Sequence, residues 1–518
     1  MMVIESVLDT ARLDLDTAQQ AIRLLEFENQ RLHKRLELLT RELAALRNQD
    51  ATVQLELELM RLREQVADMQ HRLFGAKSEK QPQAADKCEQ AGTVATETAP
   101  RRRGHGPTPQ PRLPIVERFV SLPEGERTCD ACGRQLDEWK GQFETSELIN
   151  VVQRKFVIEK VQRHKYRCQC QSTIVCAPAP LKLVPGGRYS LEFAVEVAVD
   201  KYLDHLPLNR QVARMRREGL YATTQTLCDQ TARLAQTVVY CYDAIGDGLI
   251  LNRVLHMDET TWWLLNTKPS KRWYVWCMAN REGVYYRISP SRSSKVALDM
   301  LEHFEGTLVT DAYKVYVSLA NKPGTPFEVV FCWAHARRKL ITAERSYPQC
   351  TEAIELIRGL YEVERRVPEP AIDADEELRA RAREMRAALR DNESRCITKL
   401  LFDWAQEQRG VPGSSLRKAT DYLVNHWTPL TAFLDDPDIP LDNNLVERQL
   451  RSPVIGRKNH LGSRSEDGAH VAEILYTLIH SAVMVGVDPR RYLLEAARRA
   501  LEEPGAVLLP HELKEPDS

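Results

Sequence analysis

The sequence predicts a multidomain α+β protein: an N-terminal coiled coil, a zinc ribbon and a helical region, then an α/β core split by a helical insertion. Three observations carry that expectation. Leucines recur in heptads near the start, and four cysteines stand in two close pairs. Short β-rich segments between residues 253 and 332 then give way to charged sequence of helical period. At 518 residues there is chain enough for three or more domains. The expected boundaries are 1–80 for the coiled coil, 81–115 for a linker, 116–185 for the ribbon and 186–245 for the helical region. The core is expected at 246–335 and 436–485, around an insertion at 336–435, with a C-terminal helix and tail at 486–518.

Residues 22–46 place Ile22, Asn29, Leu36 and Leu43 at heptad position a, and Leu25, Leu32, Leu39 and Leu46 at d. Asn at one a position favours a parallel dimer in register at some cost in stability. The phase breaks near Asn48–Asp50 and resumes through Leu55, Leu59, Leu62, Val66, Met69 and Leu73, which leaves open a stutter or an antiparallel hairpin. An amphipathic helix packed on its own protein would show the same stripe. From Gln81 to Pro114 the sequence is rich in Pro, Ala, Thr and Gln without periodicity, which reads as a linker. Its Arg101-Arg102-Arg103 run suits either a basic arm along DNA or a solvated charge cluster.

Cys129 and Cys132, then Cys168 and Cys170, offer four thiolates for one tetrahedral structural Zn²⁺, with Cys176 as a substitute for Cys170. Leu148–Val161 and His164–Arg167 read as strands between the pairs. Cys88, Cys228, Cys241, Cys277, Cys350 and Cys396 are scattered and read as packing residues. Residues 208–218, Gly219 and a helix capped at Thr223-Thr224 have helix–turn–helix spacing, shared by DNA readers and plain helical bundles alike. Arg210, Arg214, Arg216 and Arg217 belong to the first of these helices.

In the core, Arg253–Met257, Arg272–Met278, Val284–Ile288, Thr307–Thr310 and Val329–Cys332 read as strands, with a helix at Val296–Phe304. Three acidic motifs stand out: His256-Met257-Asp258-Glu259-Thr260 and Thr310-Asp311-Ala312-Tyr313, each ending a strand, and Asp442-Asn443-Asn444 with Glu447, opening a helix. Two strand-borne Asp and a helix-borne Glu can form an all-oxygen site for Mg²⁺ or Mn²⁺. No acidic residue interrupts Arg448 to Arg464, and such a basic strip suits a polyanion. The combination points to metal-assisted phosphodiester chemistry on nucleic acid. Local alternatives stay open: adjacent Asp258 and Glu259 face opposite sides of a strand, so one of them can be a solvent-exposed neighbour; Asp311 can cap a turn. Glu447 stands at capping-box spacing from Asn444, and Asp442 is its rival for a metal.

The net charge of −1 makes any nucleic-acid surface a local one. The start of the chain lacks the pattern of a secretory signal, and no apolar run is long enough to span a membrane. Twelve dispersed cysteines then fit a reducing cytoplasm.

Beyond the acids, Lys201-Tyr202-Leu203-Asp204-His205-Leu206-Pro207-Leu208-Asn209-Arg210-Gln211, Cys332-Trp333-Ala334-His335-Ala336-Arg337-Arg338-Lys339 and Gly456-Arg457-Lys458-Asn459-His460-Leu461 form an ordered set of motifs, as does His71–Lys80 nearer the start. With them the chain resembles bacterial insertion-sequence transposases of the IS66 type, members of the DDE superfamily. The resemblance runs from about Leu25 to Leu508-Leu509-Pro510, nearly the whole chain. It implies an RNase H-like core in which Asp258, Asp311 and Glu447 hold Mg²⁺ or Mn²⁺, cleavage of DNA at element ends and strand transfer into target DNA. It also implies a role near the site for His335, within a [C/D]xxH element, and DNA contacts from Arg337, Arg338, Arg457, Lys458 and Asn459. Double-stranded DNA, a homodimer or higher oligomer, and small accessory proteins of the same element are the implied partners, and the bacterial nucleoid the implied location. The family usually carries CxxC in both halves of its ribbon, whereas the second pair here is one residue shorter. An RNase H-like nuclease without strand transfer, or an inactive DNA-binding regulator, would share most of these features.

Overall fold

The computed structural model describes residues 156–167, 174–266, 271–370 and 374–513, together with positions 31, 34, 35, 38 and 62. The heptad region as a whole, the linker and Cys129, Cys132, Cys168 and Cys170 lie outside the described residues. Two short strands, β1 (Lys165–Arg167) and β2 (Ile174–Cys176), pair antiparallel, with Cys176 opposite Lys165. Residues 156–161 carry no strand, contrary to the expectation for Leu148–Val161. Val157 and Ile158 are largely exposed there, so alternation within this segment has no sheet face to bury.

Among the described residues from Phe156 onward, four helices precede the core: α1 (Leu191–Tyr202), α2 (Leu208–Arg217), α3 (Thr224–Thr237) and α4 (Val239–Ile250). The Thr223 side chain accepts from the backbone N–H of Thr226 at 3.1 Å and so starts α3, after a turn in which Gly219 takes φ +87°. The 201–211 motif is structural in this region. Gln211, fully buried, donates to the carbonyls of Val197 and Leu206, and Arg214 pairs with the buried Asp200. Side chains of α1, α3 and α4 share one continuous apolar core with the sheet that follows.

That sheet has five strands: β3 (Val254–Leu264), β4 (Lys271–Ala279), β5 (Val284–Ser289), β6 (Thr307–Thr310) and β7 (Glu328–Phe331). Their order is β5-β4-β3-β6-β7; the first three are antiparallel, while β6 and β7 run parallel to β3. β3 is longer than its sequence suggested. Parallel pairing stops at His256 with Val309, but antiparallel pairing with β4 continues to Leu264 with Lys271, carried by Trp262 and Trp263. Asp258 therefore lies within the strand rather than at its end.

Two short helices, α5 (Ser294–Met300) and α6 (Lys314–Ala320), lie between the strands, and α7–α13 follow β7; the outer edge of β5 is closed by the next helix, α14 (Glu466–Met484). Ser481 and Thr477 accept the backbone N–H groups of Val284 and Tyr286, each at 3.0 Å, and Glu473 accepts that of Ile288. The spacings match: two residues of strand advance about 6.8 Å and four of helix about 6 Å. An edge that could recruit another strand is thus capped by side chains at i, i+4 and i+8.

Between β7 and α14 the chain builds the expected helical block, from α7 (Trp333–Glu344) and α8 (Cys350–Arg365) through α9 (Glu376–Leu389) and α10 (Arg395–Glu407) to α11 (Ser415–Asn425) and the short α12 (Trp427–Thr431). A π-helical turn, Arg390–Ser394, joins α9 to α10 and carries a fully buried Arg390. Its guanidinium forks onto Glu364 at 2.7 and 3.0 Å and donates to the carbonyls of Phe433, Asp436 and Ile439. This ties down the segment that leads to the third acidic motif. Among the free cysteines, Cys241, Cys277 and Cys350 are buried as expected, while Cys228 and Cys396 are exposed. Among the described residues no helix is long and apolar enough to cross a membrane.

Removing a buried, paired charge strands its partners. Arg390→Leu should therefore lower the free energy of unfolding by about 3–5 kcal/mol in denaturant titration. Arg390→Lys should recover little, because an ammonium cannot reproduce the fork. A loss below about 1 kcal/mol would show that the clamp is dispensable.

Candidate active site

The site is built where β3 and β6 stop pairing. β3 and β6 are in register Val254–Thr307, Leu255–Leu308 and His256–Val309. Carried two residues further, that register sets Asp258 beside Asp311, just where β6 has left the sheet. Neighbouring strands run about 4.8 Å apart, so the two carboxylates start from adjacent backbones. Asp311 Oδ1 accepts the N–H of Tyr313 at 3.0 Å, a turn that carries the chain outward. Asp258 Oδ1 accepts the N–H of Glu259 at 2.7 Å.

Glu447 arrives from α13 (Asn444–His460), in whose first turn it stands. The cap residue of this helix is Asn443, not Asn444, and its side chain makes no capping bond because it is used elsewhere. Fully buried, Asn443 donates from Nδ2 to the carbonyl of Met257 at 3.0 Å, while Oδ1 meets His256 Nδ1 at 3.0 Å. Its backbone N–H donates to Cys332 Sγ at 3.2 Å, and the N–H of Cys332 donates to the carbonyl of Thr310 at 3.0 Å. A hydrogen-bonded chain thus links the residues just before Asp258 and Asp311 to the start of the Glu447 helix.

α13 stays on the sheet despite Pro453 in its interior. Proline removes the bond to the carbonyl four residues back. That carbonyl, of Gln449, accepts instead from the Tyr286 hydroxyl on β5 at 2.8 Å. Gly456 is needed for the same packing, since a Cβ there would overlap the Tyr476 hydroxyl of α14.

The two rival acids have structural partners. Glu259 is buried, not solvent-exposed: Arg292 pairs with Oε1 at 2.6 Å and the Tyr316 hydroxyl donates to Oε2 at 2.6 Å. Arg292 also lies over the ring of Tyr313, 3.8 Å from its centroid, which braces the Asp311 turn. Asp442 takes the N–H of Asn444 at 3.0 Å and its side-chain amide at 2.6 Å, serving the helix start. Sequence reasoning missed Asn443, Arg292 and Tyr316. Only Asn443 left a signal, as the first of an Asn pair after Asp442.

Electrostatics separates Asp258 from its neighbours. Burial, and then the charges of Glu259, Asp311 and Glu447, push its carboxyl up to about 8. Glu447 Oε1 and His335 Nδ1 are 3.6 Å apart, both buried and both without a hydrogen-bond partner, while Arg338 lies 3.8 Å from Oε2. A crowded buried acid beside an orphaned carboxylate oxygen is what a divalent cation would relieve, and oxygen donors suit Mg²⁺ or Mn²⁺. Cys332 Sγ, His335 and Glu447 also offer ligand atoms all within 4.8 Å of one another.

Of the basic candidates, Arg338 and Lys458 are exposed and Arg337 is half-buried. Arg457 donates to the carbonyl and hydroxyl of Thr261 on β3, and Asn459 Nδ2 donates to the carbonyl of His205 at 3.1 Å. Both of these residues therefore tie α13 to the fold.

The family model described as "Transposase IS66 family" matches residues 186–471, more than half of the chain, and the chain belongs to that family. A second model, described as "Transposase C of IS166 homeodomain", matches residues 61–118. The uncharacterized protein y4jD of Sinorhizobium fredii (strain NBRC 101917 / NGR234) is 30% identical over 423 residues, 78% of this chain and 79% of that one. From the same strain, the uncharacterized protein y4hP is 26% identical over 93% of this chain and 88% of its own. The uncharacterized protein y4qI is 30% identical over 76% of this chain and 74% of its own.

The charge crowding has a measurable cost. Between about pH 4 and 8 folded Asp258 keeps a proton that the unfolded chain has released, so metal-free stability falls as pH rises through that window. Asp258→Asn should flatten this dependence and raise the metal-free Tm at pH 8, and thermal melts in chelator will show it. A Tm that falls at pH 8 would mean that Asp258 is not repelled by its neighbours.

Proposed function

We propose that the chain is a DDE transposase that cuts DNA at the ends of a mobile element and joins the freed 3′-OH ends to target DNA. What supports this reading is that the charges of Asp311, beside it across the β3–β6 register, and of Glu447, on a helix far off in sequence, both bear on the buried carboxyl of Asp258. The strand order β5-β4-β3-β6-β7, antiparallel then parallel, supports an RNase H-like core beneath them.

In this reading Asp258, Asp311 and Glu447 hold Mg²⁺ or Mn²⁺, which when bound activates the attacking water or 3′-OH and stabilises the leaving oxygen of an in-line displacement. The protein supplies placement. Asp258 and Asp311 offer oxygens from adjacent backbones, and Glu447 adds a third from a helix fixed by Asn443 and Tyr286. His335 orients Glu447 or a phosphate, and exposed Arg338 and Lys458 contact the phosphate backbone. Arg337, Arg457 and Asn459 support that surface. Further DNA contact is assigned to the helical region and to a ribbon in which Cys129, Cys132, Cys168 and Cys170 bind Zn²⁺. The heptads of residues 22–46 make the working unit a dimer in the bacterial cytoplasm.

The test uses the full chain, Mg²⁺ and duplexes carrying the element's ends, either intact or pre-cut. Asp258→Asn, Asp311→Asn and Glu447→Gln should each reduce cleavage and joining together by at least about a hundredfold, while end binding stays within about threefold. Cleavage without joining of pre-cut ends would make the protein a nuclease. Strand transfer by the triple alanine variant would end the DDE reading.

A further inference from the structure

We propose that Cys332, His335 and Glu447 form a second, softer metal site that takes Zn²⁺ and thereby withdraws Glu447 from Asp258 and Asp311. The part concerning withdrawal rests on the catalytic reading above; the site itself rests on geometry alone. Cys332 is the cap residue of α7, His335 stands in the first turn of that helix, and Glu447 stands in the first turn of α13. The three ligand atoms lie within 4.8 Å of one another. His335 Nδ1 and Glu447 Oε1 are 3.6 Å apart, close to the separation that two ligands about 2.0–2.2 Å from one tetrahedral Zn²⁺ would have. Both atoms are buried and neither has a hydrogen-bond partner, so each lacks what a cation between them would supply. Arg338 approaches the other carboxylate oxygen, Oε2, and leaves Oε1 turned toward the imidazole.

The thiol offers the third donor. Burial is the larger influence on it and pushes it up to about 12, while the backbone N–H groups of Asn443 and His335 that Sγ accepts work the other way, so the case for Cys332 as a ligand is its position beside the other two atoms. A Cys, His and carboxylate set with one position left for water matches the preference of Zn²⁺ rather than Mg²⁺, which takes oxygen ligands and releases water reluctantly. One carboxylate therefore stands between two ligand fields. Toward Asp258 and Asp311 it completes an all-oxygen set, and toward Cys332 and His335 a sulfur–nitrogen–oxygen set. Occupation of the second denies Glu447 to the first.

Co²⁺ as a zinc substitute reports a metal–thiolate bond through its charge-transfer absorption. Because the proposed ribbon has thiolates of its own, the decisive quantity is the difference between full-length chains that differ only at this site. Wild type should bind one more Co²⁺ per chain than Cys332→Ala, with a stronger thiolate band. His335→Gln, at a partly exposed position and thus independent of packing around the buried thiol, should weaken that extra ion at least tenfold. Equal stoichiometry and equal bands in wild type and His335→Gln would overturn the site. For the withdrawal, Mn²⁺ binding is followed by its relaxation of water protons. Zinc preloading should displace Mn²⁺ from wild type and not from Cys332→Ala; displacement from both overturns the withdrawal. Asp258→Asn separates the two readings. It should abolish Mn²⁺ binding and keep the extra cobalt–thiolate band, whereas persistent Mn²⁺ binding with that band intact would count against the catalytic assignment alone.

Discussion

One buried amide holds three remote segments in register. Asn443 replaces a strand partner for the carbonyl of Met257, one residue past the last β3–β6 pair, and its own N–H meets the sulfur of Cys332. Cys332 in turn donates to Thr310, and Asn443 offers its carbonyl to the N–H of Glu447 at 3.2 Å. Thr310 and Met257 directly precede the two strand-borne acids. In a water-excluded position each of these bonds is costly to leave unmade, so the arrangement forms as a unit or not at all. The Arg390 clamp on the segment just upstream serves the same end from the helical insertion, which is therefore part of the scaffold rather than an ornament between two acids.

The rest of the core supports a notch that works against folding. Carboxylates gathered near a buried acid repel one another, and among the described residues no positive charge pairs with Asp258 as Arg292 pairs with Glu259. The cost is met by features that leave little slack elsewhere: a core continuous from the N-terminal helices through the sheet, an edge strand closed by Glu473, Thr477 and Ser481, and a proline-bearing helix held by Tyr286. Glu259 shows how little separates structure from chemistry in this strand. One residue along, on the opposite face, an acid becomes an anchor for Arg292 and Tyr316, and through Arg292 it steadies the Asp311 turn.

Much of this was legible in the sequence, where period and punctuation act locally. The strands Thr307–Thr310 and Val284–Ser289, the helix Glu376–Leu389 and the Thr223 cap follow from β-branched runs, charge periodicity and turn residues. The strand bearing Asp258 was read too short because its second half pairs on one side only, a tertiary fact with no local signature. Asn443 takes no role of its own from the sequence, because an Asn at a helix start ordinarily caps and the capping-box spacing points to Asn444. Its side chain instead serves backbone 186 positions away in sequence. Tyr316 and Arg292 gave no signal at all: a Tyr in a short helix and an Arg in a Ser-rich loop are unremarkable until the sheet brings Glu259 to them. Family membership places the chain among the IS66 transposases, while the arrangement of the acids stands on the chain's own geometry.

In the function we propose, Asn443 sets Glu447 against Asp258 and Asp311 so that the three act as one cation site. Mn²⁺ affinity of the full-length Asn443→Ala chain, measured beside wild type, tests it most directly. Removing an outer partner of a metal site should weaken binding by about ten- to a hundredfold. Circular dichroism should meanwhile show the helical content retained. A folded Asn443→Ala chain that binds Mn²⁺ as tightly as wild type would contradict that role for Asn443.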